Sequence, residues 1–307
     1  MSVRRIAVLG SLNIDHTLQV ERIPGPGETV SALRAAMGYG GKGANQAVAA
    51  VRAGGEVVLL GCVGREEAGA AYVRALASEG VGTEGILAVE EATGCAFIAV
   101  DGRGENSIVV YAGANGAMSV ERLEGVWSRV GRFGALLVQF ECPMETVGRA
   151  VELAQCAGGW VVVNPSPWRE EWRLLREGLA PVDVCVVNAH EVEAATGLGV
   201  EEVCGDGRAA CAAARCRWLV LTRGGASTLA FGREGERWEV VPPEVRPVDT
   251  VGAGDAFAGA LTVACLERGM GEWSLAFANT AGALATLRPG AQGAIPLRSA
   301  ILAAMEG

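Results

Sequence analysis

Lysine is almost missing from this chain of 307 residues: every Lys or Arg residue but Lys42 is an arginine. A lone lysine is either an accident of an arginine-rich composition or a place where a compact ammonium is needed and a planar guanidinium would not fit. Histidine is nearly as scarce. His16 and His190 are the only two, too few for a histidine-built metal site. Nine cysteines are scattered with no Cys-x-x-Cys pair, which speaks against a zinc site or a disulfide framework. Most of them sit in apolar runs and read as small buried hydrophobes in a reducing compartment. No apolar stretch is long enough for a membrane span. The net charge of −9 leaves no basic footprint for nucleic acid, although one phosphate group needs only a local positive site. The first residues run straight into Ile6-Ala7-Val8-Leu9 without a basic-then-apolar leader, so a cytoplasmic protein is expected.

What the chain does have is a hydrophobic half, enough for a large core. Its length is at the upper end for one domain. Short apolar runs predict buried strands at 6–12, 57–63, 135–140, 160–164, 182–188 and 218–222. Alanine- and leucine-rich helical patterns lie between them, at 44–53, 66–79, 144–157 and 207–216. Such alternation predicts an α/β fold of three layers, α/β/α, around a mostly parallel central sheet. After residue 240 the pattern becomes helical, at 253–268, 272–287 and 297–305. Two segments break the alternation. Residues 14–37 contain Pro24-Gly25-Pro26-Gly27, and residues 93–112 read as two strands around Asp101-Gly102-Arg103-Gly104. Together they predict a small β-sheet lid on a single domain spanning 1–307.

Gly-x-Gly-x-x-Gly occurs at 38–43 and 80–85, but neither copy opens a helix directly after the first strand, as a dinucleotide site requires. The only Gly-Lys pair is followed by Gly43, not Ser or Thr, so no Walker-type loop exists. A stronger constellation is Asp249-Thr250-Val251-Gly252-Ala253-Gly254-Asp255-Ala256-Phe257, entering a helix. The glycines expose backbone N–H groups at a helix N-terminus, which suits the charge of a transferring phosphoryl group. Asp255 in that turn is either a helix cap or a general base for a substrate hydroxyl. Asn13 and Asp15 follow the first strand, and Glu141 is expected to end the strand 136–140. Asn13 and Asp15 suit sugar hydroxyls or an Asx-turn. Asn45 begins the helix after the glycine run that holds Gly41 and Lys42. Asn188-Ala189-His190-Glu191 closes another strand, either as a helix cap or with an acidic group that holds Mg²⁺ through water.

These residues resemble the carbohydrate kinases of the PfkB family. The segments that carry the likeness are Gly10-Ser11-Leu12-Asn13-Ile14-Asp15-His16, Pro26-Gly27-Glu28-Thr29-Val30, residues 40–50 and residues 249–257. Smaller matches are Glu105-Asn106, Ala112-Gly113-Ala114-Asn115 and Gly290-Ala291-Gln292. The resemblance implies ATP-dependent phosphorylation of a sugar, D-ribose at O5, with deoxyribose, fructose or a nucleoside as alternative acceptors. It implies Asp255 as base and Gly252, Ala253 and Gly254 as anion hole. Asn13, Asp15, Gly41, Lys42, Asn45 and Glu141 would hold the sugar. Asn188, Thr222, Gly224, Gly225, Gly254 and Asn279 would hold ATP, with Glu191 on Mg²⁺. Asp249, Val251, Ala285, Arg288 and Gly290 would ligate a monovalent cation, K⁺ by analogy. The lid segments would pair two subunits into a homodimer. The chain departs from the family's pattern at Ala189 and His190, at Ala294 and at Asn279. A non-catalytic sugar- or nucleotide-binding protein on this fold is the reading from another class; it has no need of a carboxylate at position 255.

Overall fold

The structure is a computed structural model that describes residues 5–306. The chain opens with β1 (Arg5–Leu9), β2 (Asn13–Val20), β3 (Ala32–Gly40), α1 (Lys42–Arg52), β4 (Glu56–Gly64), α2 (Glu67–Ser78) and β5 (Gly82–Val89). Next come β6 (Gly94–Val100), β7 (Asn106–Tyr111), α3 (Val120–Val130), β8 (Ala135–Val138), α4 (Met144–Cys156) and β9 (Trp160–Val163). Then follow α5 (Glu171–Leu175), β10 (Val182–Asn188), α6 (Val192–Thr196), α7 (Val200–Gly205), α8 (Gly207–Ala214) and β11 (Cys216–Thr222). The last elements are β12 (Thr228–Gly232), β13 (Arg237–Val240), α9 (Ala253–Arg268), α10 (Glu272–Ala285) and α11 (Arg298–Glu306).

A nine-stranded sheet in the order β13-β12-β11-β10-β9-β8-β1-β4-β5 forms the centre. From β5 to β11 every pairing is parallel, while β12 and β13 add an antiparallel edge. Its inner strands are buried on both faces, which is why they read as unbroken apolar runs. Alternate side chains feed two cores. Ala7, Leu9, Val58 and Leu60 pack toward α3, α4 and the helices before β11. Ile6, Val8, Val57 and Leu59 pack toward α1, α2, α9 and α10. The three-layer expectation therefore holds.

The sequence reading needs correction in several places, the first being the opening strand, which ends at Leu9 and not at residue 12. β8 stops at Val138, because Phe140 N–H turns to Ser166 O (3.1 Å) and leaves the ladder. Glu141 accordingly sits in the loop beyond it. Helix α1 starts at Lys42, so Asn45 lies inside its first turn. Strand β5 joins the main sheet unpredicted, its pattern broken by Gly82 and Gly85 and half exposed. The short β12 and β13 and the helix α3 are likewise additional.

A second sheet, in the order β3-β2-β6-β7, is built from the two segments that broke the alternation. Strand β2 pairs parallel with β6, and the other pairings are antiparallel. Leu33, Met37, Phe97, Val109 and Tyr111 are exposed on it. Helix α9 is buried from Asp255 to Cys265 between α1 and α10. Gly259 permits this: a Cβ there would lie 2.6 Å from Ala49 Cβ and 2.7 Å from Gln46 O. That close crossing sets the polar start of α1 beside the start of α9.

Candidate active site

Helix α9 begins at Gly252, which caps it at φ 78°, a left-handed conformation that glycine adopts without steric cost. Ala253 N–H turns back to Thr250 O (3.3 Å), and Ala256 N–H is taken by Gly252 O (2.8 Å). Among the described residues the amides of Gly254 and Asp255 have no protein acceptor, as expected for the second and third positions of a helix. They are free donors at the positive end of a buried dipole.

The Asp255 side chain does not cap its own helix. Both oxygens are instead held from α1: Asn45 Nδ2 donates to Oδ2 and Gln46 Nε2 to Oδ1, each at 2.9 Å. Gln46 is fixed in turn. Its Oε1 accepts from Gln139 Nε2 (2.7 Å), and its Nε2 also reaches Asn164 Oδ1 (3.1 Å). Asp255 is 6% exposed, yet it lines a polar cavity of about 230 Å³ with Lys42, Asn188, Glu191 and Thr250. A buried carboxylate that is oriented by two amides and faces a cavity has the makings of a general base.

The lone lysine sits among three carboxylates. The charge of Asp255 raises the Lys42 ammonium above its ordinary value, opposed by burial and helped by Glu141 and Glu191. Glu141 is clamped by Ser11 Oγ–H and by Lys42 N–H (3.1 Å), both donating to Oε2. Asn13 and Asp15 lie two apart on β2 and share one face. This excludes an Asx-turn. Asn13 Oδ1 accepts from Asn115 Nδ2 at 2.7 Å. Burial raises Asp15 to about 6, with further pushes from Glu141 and then Asp255, so this carboxyl belongs to the same cluster. Gly41 is buried at the head of α1.

Asn188 Oδ1 accepts from the amides of His190 (2.8 Å) and Glu191 (2.9 Å), while Glu191 Oε2 accepts from Asn188 N–H (3.1 Å). This is an Asx-type turn ahead of α6 and not the helix cap that one reading expects, since Glu191 at the cap position makes no side-chain capping bond; both side chains also face the cavity. Among the described residues no three His, Cys, Asp or Glu side chains gather into a metal cage. The donor set fits an ion held mainly by phosphate and water, with one protein carboxylate.

A second cavity of about 340 Å³ adjoins the first through Thr222, Thr250, Gly254 and Phe257. Gly224, Gly225, Ala253 and Asn279 line it as well. Asn279 braces the edge of the sheet, accepting from Thr228 Oγ1 (2.7 Å) and donating one N–H to Val240 O (3.0 Å), which leaves its second N–H for the cavity. Asp249 takes N–H groups from Val251 (3.0 Å) and Gly290 (2.8 Å). Thr286 O, one residue past Ala285, accepts from Asp249 N (3.1 Å), and Arg288 is exposed nearby in sequence. These loops meet one another; Thr250 and Thr286 within them line the second cavity, while Asp249, Val251, Ala285, Arg288 and Gly290 line neither. A larger cavity of about 670 Å³ lies at the far end of α9, around Trp127, Trp160 and Cys265. No carboxylate lines it, and it plays no part in this chemistry.

Residue types alone did not single out Ser11, Gln46, Asn115, Gln139 and Asn164. Gln46 stands next to Asn45 in the glycine-lysine run, but amides at helix starts are commonplace. Gln139 and Asn164 become polar neighbours only once β8 and β9 are paired.

Residues 3–298 match the model described as the pfkB family carbohydrate kinase. A ribokinase of Haemophilus influenzae is 35% identical over 309 residues, covering 99% of each chain. A deoxyribokinase of Salmonella typhi is 32% identical and covers 95% of each. The solved structure of Arabidopsis thaliana ribokinase complexed with ribose and ATP superposes with a TM-score of 0.86 at 27% identity, over the whole of both chains.

Proposed function

This chain belongs to the pfkB family of carbohydrate kinases, and from that premise we propose that it transfers the γ-phosphoryl group of ATP to O5 of D-ribose. An ATP-dependent sugar kinase is what the family does. Ribose is favoured because several relatives bear the name ribokinase and because Asn13, Asp15 and Glu141 present a polyhydroxylated acceptor with polar partners. The observation that carries the reading is Asp255: a carboxylate held by Asn45 and Gln46, in the same turn as two free amide donors, where two cavities join.

In this reading Asp255 takes the proton of the sugar hydroxyl. The oxygen bonds to the γ-phosphorus as the bond to the bridging oxygen breaks and ADP leaves. The amides of Gly254 and Asp255, with that of Gly252 beside them, meet the charge that develops; the Ala253 amide would join them on giving up its long bond to Thr250 O. Lys42 steadies the sugar or the transferring phosphate from within its carboxylate ring. Gly41, Asn45 and Glu141 complete the acceptor side. Thr222, Gly224, Gly225 and Asn279 form the nucleotide side with Asn188. Mg²⁺ would neutralise the nucleotide phosphates, with Glu191 reaching it through water. A monovalent cation, K⁺, would sit in the loops of Asp249, Val251, Ala285, Arg288 and Gly290. The bonds that Asp249 accepts from Val251 and Gly290 support that part of the grouping.

The small sheet is proposed as the lid over the acceptor site, because Asn13 and Asp15 are its own residues. Its exposed apolar side chains, among them Leu33, Met37, Phe97 and Val109, support pairing with a second copy as a homodimer. No described helix is long and apolar enough to cross a membrane. Its cysteines are all free, which agrees with action in the cytoplasm.

A coupled ADP-release assay over pentoses, hexoses and nucleosides tests the reading. Ribose is expected to give the highest kcat/KM. A preference for deoxyribose would align the chain with its Salmonella relative instead. No turnover on any acceptor would leave only a binding protein.

A further inference from the structure

Tyr72 is wholly buried in the middle of α2, away from both cavities, and its phenol ties together two segments that the proposed reaction needs. The hydroxyl donates to Gly40 O at 2.5 Å and accepts from Gln292 Nε2 at 2.6 Å. The polarity is forced, because a carbonyl can only accept and the phenol has one proton to give. Burial pushes the phenol well above its usual range, so that proton stays in place. The ring is also stacked on Tyr39 of β3, with centroids 4.3 Å apart and planes 8° apart.

Each end of this chain of hydrogen bonds touches the proposed site. Gly40 is the last residue of β3, and the Asp15 carboxylate lies against it so closely that a Cβ there would be 2.0 Å from Oδ2. Gln292 is next to Ala291, whose Cα would lie 3.1 Å from a Cβ built on Gly252. The loop around Gln292 is held from α1 as well, since Arg52 donates to Gln292 O (2.9 Å) and Ile295 O (2.6 Å). One buried hydroxyl therefore links the strand end that packs against the Asp15 carboxylate to the backbone that packs on the glycine at the head of α9.

We propose that Tyr72 is a positioning residue that couples acceptor binding at Asp15 to the nucleotide end of the site, through Gly40 on one side and Gln292 on the other. The inference rests on the sugar-kinase reading for the identity of its two ligands. Acceptor contact at Asp15 sets Gly40. Gly40 sets the phenol. The phenol holds the 290–294 loop in the place that supports Gly252.

The test is a thermodynamic cycle on the full-length protein. Calorimetry gives the affinity for a non-hydrolysable ATP analogue with and without saturating ribose, in the wild type, in Tyr72→Phe, in Gln292→Leu and in the double variant. Tyr72→Phe keeps the ring and its stack and removes both hydrogen bonds. Ribose is expected to tighten the analogue by at least about fivefold in the wild type, the lower end of ordinary coupling. That ratio should fall toward one in each single variant, and no further in the double. A purely structural tyrosine would lower Tm and leave the ratio alone. A wild-type ratio of one, an unchanged ratio in both single variants, or fully additive losses would each overturn the proposal. The kinase reading fails separately, by absence of turnover in a wild type that still binds both ligands; the ratio then still decides the coupling.

Discussion

Gln46 in α1 donates its side-chain amide to Oδ1 of Asp255 in α9 at 2.9 Å, although 209 residues separate them in the chain. The pairing means that α9 supplies the carboxylate while α1 orients it. The same pair of helices therefore fixes both the base and its aim.

Replacing the carboxylate tests this most directly. Asp255→Asn keeps the size but places an amide N–H opposite a donor from Asn45 or Gln46, as both oxygens now accept. Turnover is expected to fall roughly 10²–10⁴-fold, with ribose affinity measured by calorimetry only modestly weaker. A variant within tenfold of wild-type kcat would remove Asp255 from the role of base.

Lys42→Arg conserves charge but not shape. The half-buried ammonium sits amid Asp255, Glu141 and Glu191, and a guanidinium is longer and planar. We expect kcat/KM to drop by about an order of magnitude or more, the equivalent of roughly 1.4 kcal/mol. Unchanged kinetics would make the single lysine an accident of composition.

Asp15 predicts two opposite pH effects. Its carboxyl is raised to about 6, so it takes up a proton as pH falls from 7.5 to 5 and loses an acceptor for sugar hydroxyls. KM for ribose should rise across that window, and Asp15→Asn should flatten the profile while raising KM at neutral pH. Stability runs the other way. Because the folded value is above the unfolded one, the contribution of Asp15 is fully present below pH 3.8 and is lost as pH rises through about 6. Asp15→Asn should then be the more stable protein at pH 7.5, by at most about 3 kcal/mol. Calorimetric unfolding of the two proteins checks the sign.

Gly259→Ala carries the packing argument into function. The added methyl meets Ala49 Cβ and Gln46 O inside 3 Å, so α1 and α9 must separate. A loss of about 1–3 kcal/mol in unfolding free energy is expected. Activity below the optimum temperature should fall with it, because Asn45 and Gln46 move away from Asp255. An unchanged kcat alongside a lower Tm would show that the alignment tolerates the shift.

Potassium should raise kcat/KM for ribose above the value in sodium-only buffer, if the loops of Asp249 and Gly290 hold a monovalent ion beside the head of α9. A titration of KCl at constant ionic strength checks it. An identical response to both salts would leave those loops with only the role of bracing one another.

Much of this was legible because parallel strands buried on both faces write themselves as apolar runs, as at Ile6-Ala7-Val8-Leu9 and Leu219-Val220-Leu221. Strand β5 escaped because Gly82 and Gly85 thin its pattern and half of it is exposed. The β12–β13 edge escaped because Arg237-Trp238-Glu239-Val240 is short and faces solvent. In the site, glycines and carboxylates clustered in one short run stood out, since 249–257 concentrates them. Of the two amides on Asp255, Asn45 stood out but Gln46 did not, because a glutamine declares its partner only after two distant helices cross. The same holds for Glu141, whose clamp by Ser11 and Lys42 joins three separate stretches of chain.

Strand β2 runs from Asn13 to Val20 and is hydrogen-bonded along both flanks. A ribbon gripped on two sides behaves as a lever. Its root holds two polar side chains, Asn13 buried and Asp15 half-buried, and its outer part carries Leu18 and Gln19 to the surface before Val20 is covered again. Force applied at that outer part, by a neighbour or by a substitution, is transmitted to the root as tilt. Changes made far out on this arm should thus be felt first as altered sugar affinity, well before they disturb the folding of the body.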